Sequence, residues 1–215
     1  MKFGIIGTGD VANAIATKLV RLGHEVRMGS RSANNEKAVG WAKQNGALAS
    51  NGTFKDAASF GEIIFNCTAG AVSLNALEMA GGENISGKIL VDVANPLVRG
   101  EYLSLVPELS NTTSLGEEIQ KRYSEAKVVK TLNTMIYRLM VEPSLLKEKH
   151  DVFICSDDEE AKEKVKEILN WFGWKAPIDL GKLPNARYTE ALSSFWTPMF
   201  KVFKEPLFAY KVVRN

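Results

Sequence analysis

Apolar residues along this chain come in two alternating rhythms. Short unbroken runs alternate with stretches in which apolar positions recur every three or four residues. Lys2–Ile6 is a run of the first kind and ends at Gly7; Val11, Ile15, Leu19 and Leu22 then follow at helical spacing, and Gly23 is a plausible stop. The rhythm repeats. Strands are predicted over residues 25–28, 63–67, 89–94, 128–132, 152–155 and, as a short last one, 178–180. Helices are predicted over residues 36–44, ending at Gly46, and over 72–80. Asn95-Pro96 reads as a turn after the fourth of these strands. Ser114-Leu115-Gly116-Glu117 has capping-box spacing and opens a helix to about residue 126. Asp157 is expected to cap a helix striped by Ala161, Val165, Ile168 or Leu169, and Phe172. From Asn185 one broad apolar helix is expected, carrying Leu192, Phe195, Trp196, Met199, Phe200 and Phe203, with a bend at Pro198. Strands alternating with helices imply an α/β fold: a mostly parallel sheet, covered on both faces, with a small C-terminal helical segment. No internal repeat and no clear linker interrupts it.

The first strand-to-helix turn carries chemistry. Gly7-Thr8-Gly9-Asp10-Val11-Ala12 fits G-x-G-x-x-G/A with alanine in third place. Gly7 permits a tight turn, Gly9 lets the backbone approach a pyrophosphate, and Ala12 allows close helix-on-strand packing. The free N–H groups of the helix start, aided by its dipole, then face the anion. The motif follows a strand and opens an amphipathic helix, which is the context that gives it meaning. The second strand ends Met28-Gly29-Ser30-Arg31, with no acid at its tip to hold ribose hydroxyls. Ser30 can donate to a 2′-phosphate, and Arg31 can add a charge-assisted bond and stack on adenine. NADP(H) is therefore expected over NAD(H), in a Rossmann-like doubly wound fold. Ligands on such sheets lie across the carboxyl ends of the strands. That edge holds Thr68-Ala69-Gly70 and Ala94-Asn95. It also holds Asn133-Thr134-Met135, where Asn133 and Thr134 are candidates to border a nicotinamide.

Composition narrows the alternatives. Of 215 residues, 45% are apolar and 24% charged, which excludes a disordered chain. With 27 basic and 25 acidic residues the net charge is +2, giving no electrostatic case for nucleic-acid binding. No stretch reaches the about 20 apolar residues of a spanning helix, so no membrane anchor is expected. The strand at residue 2 leaves no room for a leader peptide, and a cytoplasmic location is expected. Cys67, Cys155, His24 and His150 are unclustered, so no metal site is expected. The thiols read as buried and reduced, and the histidines as turn residues.

The joint pattern of GTGDVA, then LGHEVRMGSR, then Lys130-Thr131-Leu132-Asn133-Thr134-Met135 resembles the coenzyme F420-dependent NADP oxidoreductases. The later stretches Cys155-Ser156-Asp157-Asp158-Glu159 and Asp179-Leu180-Gly181-Lys182-Leu183 add to it. The reductase domain of six-transmembrane metalloreductases is similar too. The resemblance implies a Rossmann domain over residues 1–181 and a C-terminal helical segment, 182–215, completing a substrate cleft or a dimer contact, in a homodimer. It places NADP-binding roles on Thr8, Gly9, Asp10, Val11, Ser30 and Arg31, beside Gly7 of the motif, and nearby roles on Thr68, Ala69, Asn95 and Met135. Departures are Asn133, where the family often has histidine, the absence of proline near Ala69, and a further basic residue of the phosphate pocket with only Asn35 and Lys37 near its place. Hydride transfer between two ring systems needs positioning more than acid–base groups, and no catalytic dyad or triad is visible. F420, or FMN or FAD, is the expected small-molecule redox acceptor. The alternatives are NADPH-dependent reduction of an imine or of a metal chelate through flavin, or an NADP-binding sensor without turnover. Phe195, Trp196, Phe200 and Phe203 are expected to be core or dimer contacts before they are a wall for a planar substrate.

Overall fold

The computed structural model describes residues 1–98 and 100–215. Its first half runs β1 (Lys2–Ile6), α1 (Asp10–Arg21), β2 (Glu25–Ser30), α2 (Glu36–Asn45), β3 (Ala49–Thr53), α3 (Phe54–Phe60), β4 (Ile63–Asn66), α4 (Gly70–Ala80), a short α5 (Gly82–Ile85) and β5 (Ile89–Asp92). A small hairpin follows, β6 (Leu97–Val98) with β7 (Ser104–Leu105). The second half is α6 (Leu115–Arg122), β8 (Lys127–Thr131), α7 (Tyr137–Val141), β9 (Phe153–Ser156), α8 (Glu159–Phe172), β10 (Ile178–Asp179), α9 (Ala186–Ser194) and α10 (Trp196–Phe203).

Eight strands form one sheet in the order β3-β2-β1-β4-β5-β8-β9-β10. Every neighbouring pair is parallel except β8 with β9. The chain steps outward from β1 to β2 and β3, then returns across β1 to begin β4 on its other side. The crevice between the carboxyl ends of β1 and β4 is therefore the topological switch point, where open α/β sheets bind ligands. Alternation along β1 assigns its side chains to two cores. Phe3 and Ile5 pack with Ile15, Leu19, Trp41 and Phe172 on one face, and Ile6 packs with Ala57, Leu77 and Ile119 on the other.

Several elements depart from the sequence reading. β3 and α3 were not expected, because Ala49-Ser50-Asn51-Gly52-Thr53 has no apolar run. β3 is an edge strand held by its pairing with β2. A capping box starts α3: the Thr53 hydroxyl accepts from Asp56 N at 3.1 Å, and the Asp56 carboxylate accepts from Thr53 N at 2.8 Å. α6 ends at Arg122 rather than near residue 126, because Gln120 donates to the carbonyl of Ala126 and accepts from Val128 N, pinning an irregular turn. Asp158, not Asp157, caps α8, accepting from Ala161 N at 2.8 Å, while Asp157 accepts from Leu183 N. The C-terminal helix divides at Phe195 rather than bending at Pro198. Proline obstructs the carbonyl four residues earlier, here that of Ser194, and its missing N–H costs nothing in the first turn of a new helix. α10 buries none of its residues, so the aromatic stripe is not core; Phe195, Phe200 and Phe203 are exposed.

Both histidines pack against aromatic rings instead of lying free in turns. His24 sits between Phe3 and Trp171, at 5.3 and 5.0 Å between ring centroids, and burial lowers its pKa. His150 meets Trp174 edge-on at 5.1 Å. Both cysteines are unpaired and buried. Among the described residues no helix is long and apolar enough to cross a membrane.

Candidate functional site

The turn from β1 into α1 contains two glycines with different physical reasons. Gly7 has φ +126°, and a Cβ there would stand 2.8 Å from the carbonyl oxygen of Cys67. Backbone conformation and the neighbouring strand end both require it. Gly9 has φ −81° and ψ −174°, an extended conformation open to any residue, and no atom of the chain lies within 4 Å of the Cβ it lacks. Nothing inside the protein requires a glycine at this position. Its bare backbone leaves open space in front of the first turn of α1. Gly9 is also the N-cap of α1 and supplies no side chain to satisfy the helix-start amides. Beneath it Ala12 is completely buried. Space, free donors and dipole together fit a diphosphate.

At the tip of β2 the Ser30 hydroxyl donates to the carbonyl of Ser32 at 2.5 Å and accepts from Ser32 N at 3.2 Å. It therefore shapes the loop as well as bordering it. Arg31 is exposed. Asn35 caps α2 by accepting from Ala38 N at 3.1 Å, and Lys37 is exposed on the first turn of that helix. No acidic side chain lies between Gly29 and Asn35, so nothing there opposes an additional phosphate.

A cleft of about 460 Å³ opens over the ends of β4, β5 and β8. It gathers Val11, Thr68, Ala69, Asn95, Thr134 and Met135, with Asn133, although these positions are scattered along the chain. Thr8, Gly9, Ser30 and Arg31 lie outside this cleft, on the β1–β2 side, and Asp10 borders a neighbouring groove along α1. Asn95 and Asn133 interlock: Asn95 Nδ2 donates to the carbonyl of Asn133 at 2.7 Å, and Asn133 Nδ2 donates to Asn95 Oδ1 at 2.8 Å. Buried Leu132, just before Asn133, takes φ +63°. A non-glycine residue in that region costs about 1–2 kcal/mol, and such strain concentrates at functional sites. The Thr68 hydroxyl is set by Asn66 Oδ1 at 2.7 Å and the Ser73 hydroxyl at 2.6 Å. Wall residues that the sequence reading does not single out include Leu97 and Leu103 of the hairpin, Tyr137 and Met140 of α7, and Ser193 of α9. Trp196 of α10 completes the rim and stacks on Phe200, with centroids 5.1 Å apart and planes 8° apart. Among the described residues, no Asp, Glu, Lys, Arg or His lines the cleft. Burial pushes the Cys67 thiol far up, so it stays protonated at neutral pH.

Charge is kept behind the wall. Lys130 on β8, with no exposed side chain, contacts Asp92 Oδ2 at 2.8 Å and Glu190 Oε1 at 2.7 Å, and donates to the carbonyl of Ala94. Glu190 also accepts from Leu115 N at 2.9 Å and Gly116 N at 3.2 Å, the first amides of α6. Burial raises the Glu190 pKa and neighbouring Asp92 adds to this, while Lys130 opposes both. Burial alone would lower the Lys130 pKa, but its two carboxylates outweigh it, and the net direction is up. No group of three or more His, Cys, Asp or Glu residues among the described residues could hold a metal ion.

Comparison with known proteins places the chain in a family and a fold. Residues 2–96 match the family model described as NADP oxidoreductase, coenzyme F420-dependent. A solved structure from Arthrobacter sp. FB24, provisionally described as an F420-dependent NADP-reductase, is 40% identical, covers 100% of both chains and superposes with a TM-score of 0.93. The F420-dependent NADP reductase of Methanocaldococcus jannaschii is 27% identical over 90% of this chain and 89% of its own. Rat Metalloreductase STEAP3 is 32% identical over 94% of this chain, which spans only 38% of that longer protein. An imine reductase from Aspergillus terreus, 17% identical with a TM-score of 0.66 over 94% of this chain and 62% of its own, shares the fold.

Proposed function

This chain belongs to the family of F420-dependent NADP oxidoreductases, and from that premise we propose that it transfers hydride between NADPH and a deazaflavin of the F420 type. The observation that carries the cofactor half is Gly9, whose backbone is bare for no internal reason. The amides of Gly7 to Val11 hold the diphosphate, Ser30 and Arg31 take the 2′-phosphate, and Asn95, Asn133 and Thr134 border the nicotinamide. Bound NADPH supplies the hydride; the protein supplies alignment and a dry cleft.

The acceptor half rests on the lining. Oxidation of an alcohol or reduction of a ketone couples hydride transfer to a proton and needs a general acid or base in reach. Among the described residues the only titratable side chains on the wall are Cys67 and Tyr137. A deazaflavin takes the hydride at a ring carbon and its accompanying proton at a ring nitrogen, which solvent can supply, so a flat ring that needs no placed acid suits such a cleft, with the indole of Trp196 at its rim. The interlocked Asn95 and Asn133 keep that edge of the cleft in one conformation.

Rapid mixing of NADPH-loaded protein with F420, FMN or FAD tests the assignment. Fast oxidation is expected with the deazaflavin and slow oxidation with either flavin. Tight NADPH binding without turnover on any of the three would remove the deazaflavin reading and leave reduction of another small molecule, such as an imine, or a dinucleotide sensor. Cofactor choice is tested separately. Arg31→Ala is expected to weaken NADPH about ten- to hundredfold, the worth of one bond to a charged group, and NADH less than about twofold. Equal losses measured by calorimetry would remove Arg31 from the phosphate site.

A further inference from the structure

We propose that the buried Lys130–Glu190 pair is a positioning device that sets the acceptor side of the cleft by docking α9 onto the sheet. This rests on the reading of the cleft given above. The inward face of α9 consists of Ala186, Thr189, Glu190 and Ser193. Its fully buried apolar groups are one alanine methyl and one threonine methyl, with Leu192 half-buried, less than a helix normally buries. The strongest attachment of α9 is the Glu190 carboxylate, held by the Lys130 ammonium and by two amides of α6. The second attachment, Arg187 with Glu117, is half-exposed.

One cation thereby joins two walls. Lys130 holds the carbonyl of Ala94, next to Asn95, and through Glu190 it holds the helix that brings Ser193 and then Trp196 to the rim. The Ser193 hydroxyl is itself turned by donating to the carbonyl of Glu190 at 2.6 Å. Stability alone does not account for three ionic groups at this place, since well-packed apolar residues often replace a buried ion cluster at no loss. What a cluster with directional bonds adds is a single separation between the elements it joins. Neither Lys130 nor Glu190 lines the cleft, so both act through other residues.

Glu190→Gln tests this. The amide keeps the volume, and its oxygen in the place of Oε1 can still accept from Lys130 and Gly116 N, but its NH2 in the place of Oε2 cannot accept from Leu115 N, so α9 shifts. The acceptor KM is expected to rise about tenfold or more, a loss of the size that a displaced wall produces. NADPH affinity should stay within about twofold, because the Gly9–Arg31 half is untouched. Amide hydrogen exchange should quicken over 186–203 and not over 10–21. Arg187→Gln, on the same helix, is expected to lower Tm without moving the acceptor KM. Should Glu190→Gln fail to fold, Glu190→Asp, which keeps the charge one methylene shorter, is read by the same split. An unchanged acceptor KM with unchanged exchange over α9, whatever happens to Tm, overturns the proposal. A wild-type protein that turns over no acceptor sinks the hydride-transfer reading on its own, and the exchange pattern still decides whether this pair docks α9.

Discussion

Gly9→Ala is expected to abolish NADPH binding while leaving the protein as stable as before. The added methyl meets no atom of the chain, and the local φ of −81° suits alanine. It would occupy the space a diphosphate needs against the first amides of α1. A loss of at least about a hundredfold in affinity, about 3 kcal/mol, is expected by calorimetry. Alanine restricts the unfolded chain but is a poorer N-cap than glycine, and as the two effects oppose each other Tm should change little. Gly7→Ala is the informative contrast. Its Cβ would stand 2.8 Å from the Cys67 carbonyl at φ +126°, so stability should fall by about 2 kcal/mol or more. Retention of NADPH affinity within threefold in Gly9→Ala would show that the bare backbone serves no dinucleotide.

Lys130→Met is expected to destabilise the fold by about 3–5 kcal/mol, the usual cost of leaving buried charge without its partner. Asp92 and Glu190 would then face each other across an apolar side chain, with no water to separate them. The loss should depend on pH. Burial and Asp92 already raise the Glu190 pKa, and removing Lys130 takes away the main opposing effect. An acid whose folded pKa lies above its unfolded value holds its proton more firmly when folded. The penalty is therefore small below the unfolded value of about 4.3 and grows as pH rises through the raised folded value. Adding Glu190→Gln to Lys130→Met should restore part of the stability by removing one of the two stranded charges. Urea unfolding at two pH values measures all three. A loss below about 1 kcal/mol, or one independent of pH, would mean that the carboxylates find other partners.

The two experiments fall on opposite sides of what could be read from the chain. GTGDVA was legible because a phosphate-binding turn is local. Six consecutive residues make the strand exit, the cradle and the helix start, and the glycines betray the backbone they require. The cleft was legible only at its strand ends. Thr68, Asn95 and Asn133 could be placed on one edge because parallel strands align their carboxyl ends. Leu103, Tyr137 and Ser193 could not, since no short-range signal says which loop or helix covers that edge. β3 went unread for lack of an apolar run, though Thr53 and Asp56, three apart, carry a capping signal for α3.

By itself, the order of amino acids determined the alternation of strands and helices, and hence the α/β class, because side-chain burial follows a period of 2.0 or 3.6 residues. It determined the glycine-rich turn from β1 into α1 for the same local reason. Tertiary structure alone decided that Asp92, Lys130 and Glu190 meet. They lie on β5, β8 and α9, far apart in the chain, and each reads singly as an ordinary charged residue. Only the strand order that sets β8 beside β5, and the return of α9 over both, takes them out of water together. Once there they must pair, because a buried charge without a partner is too costly to keep.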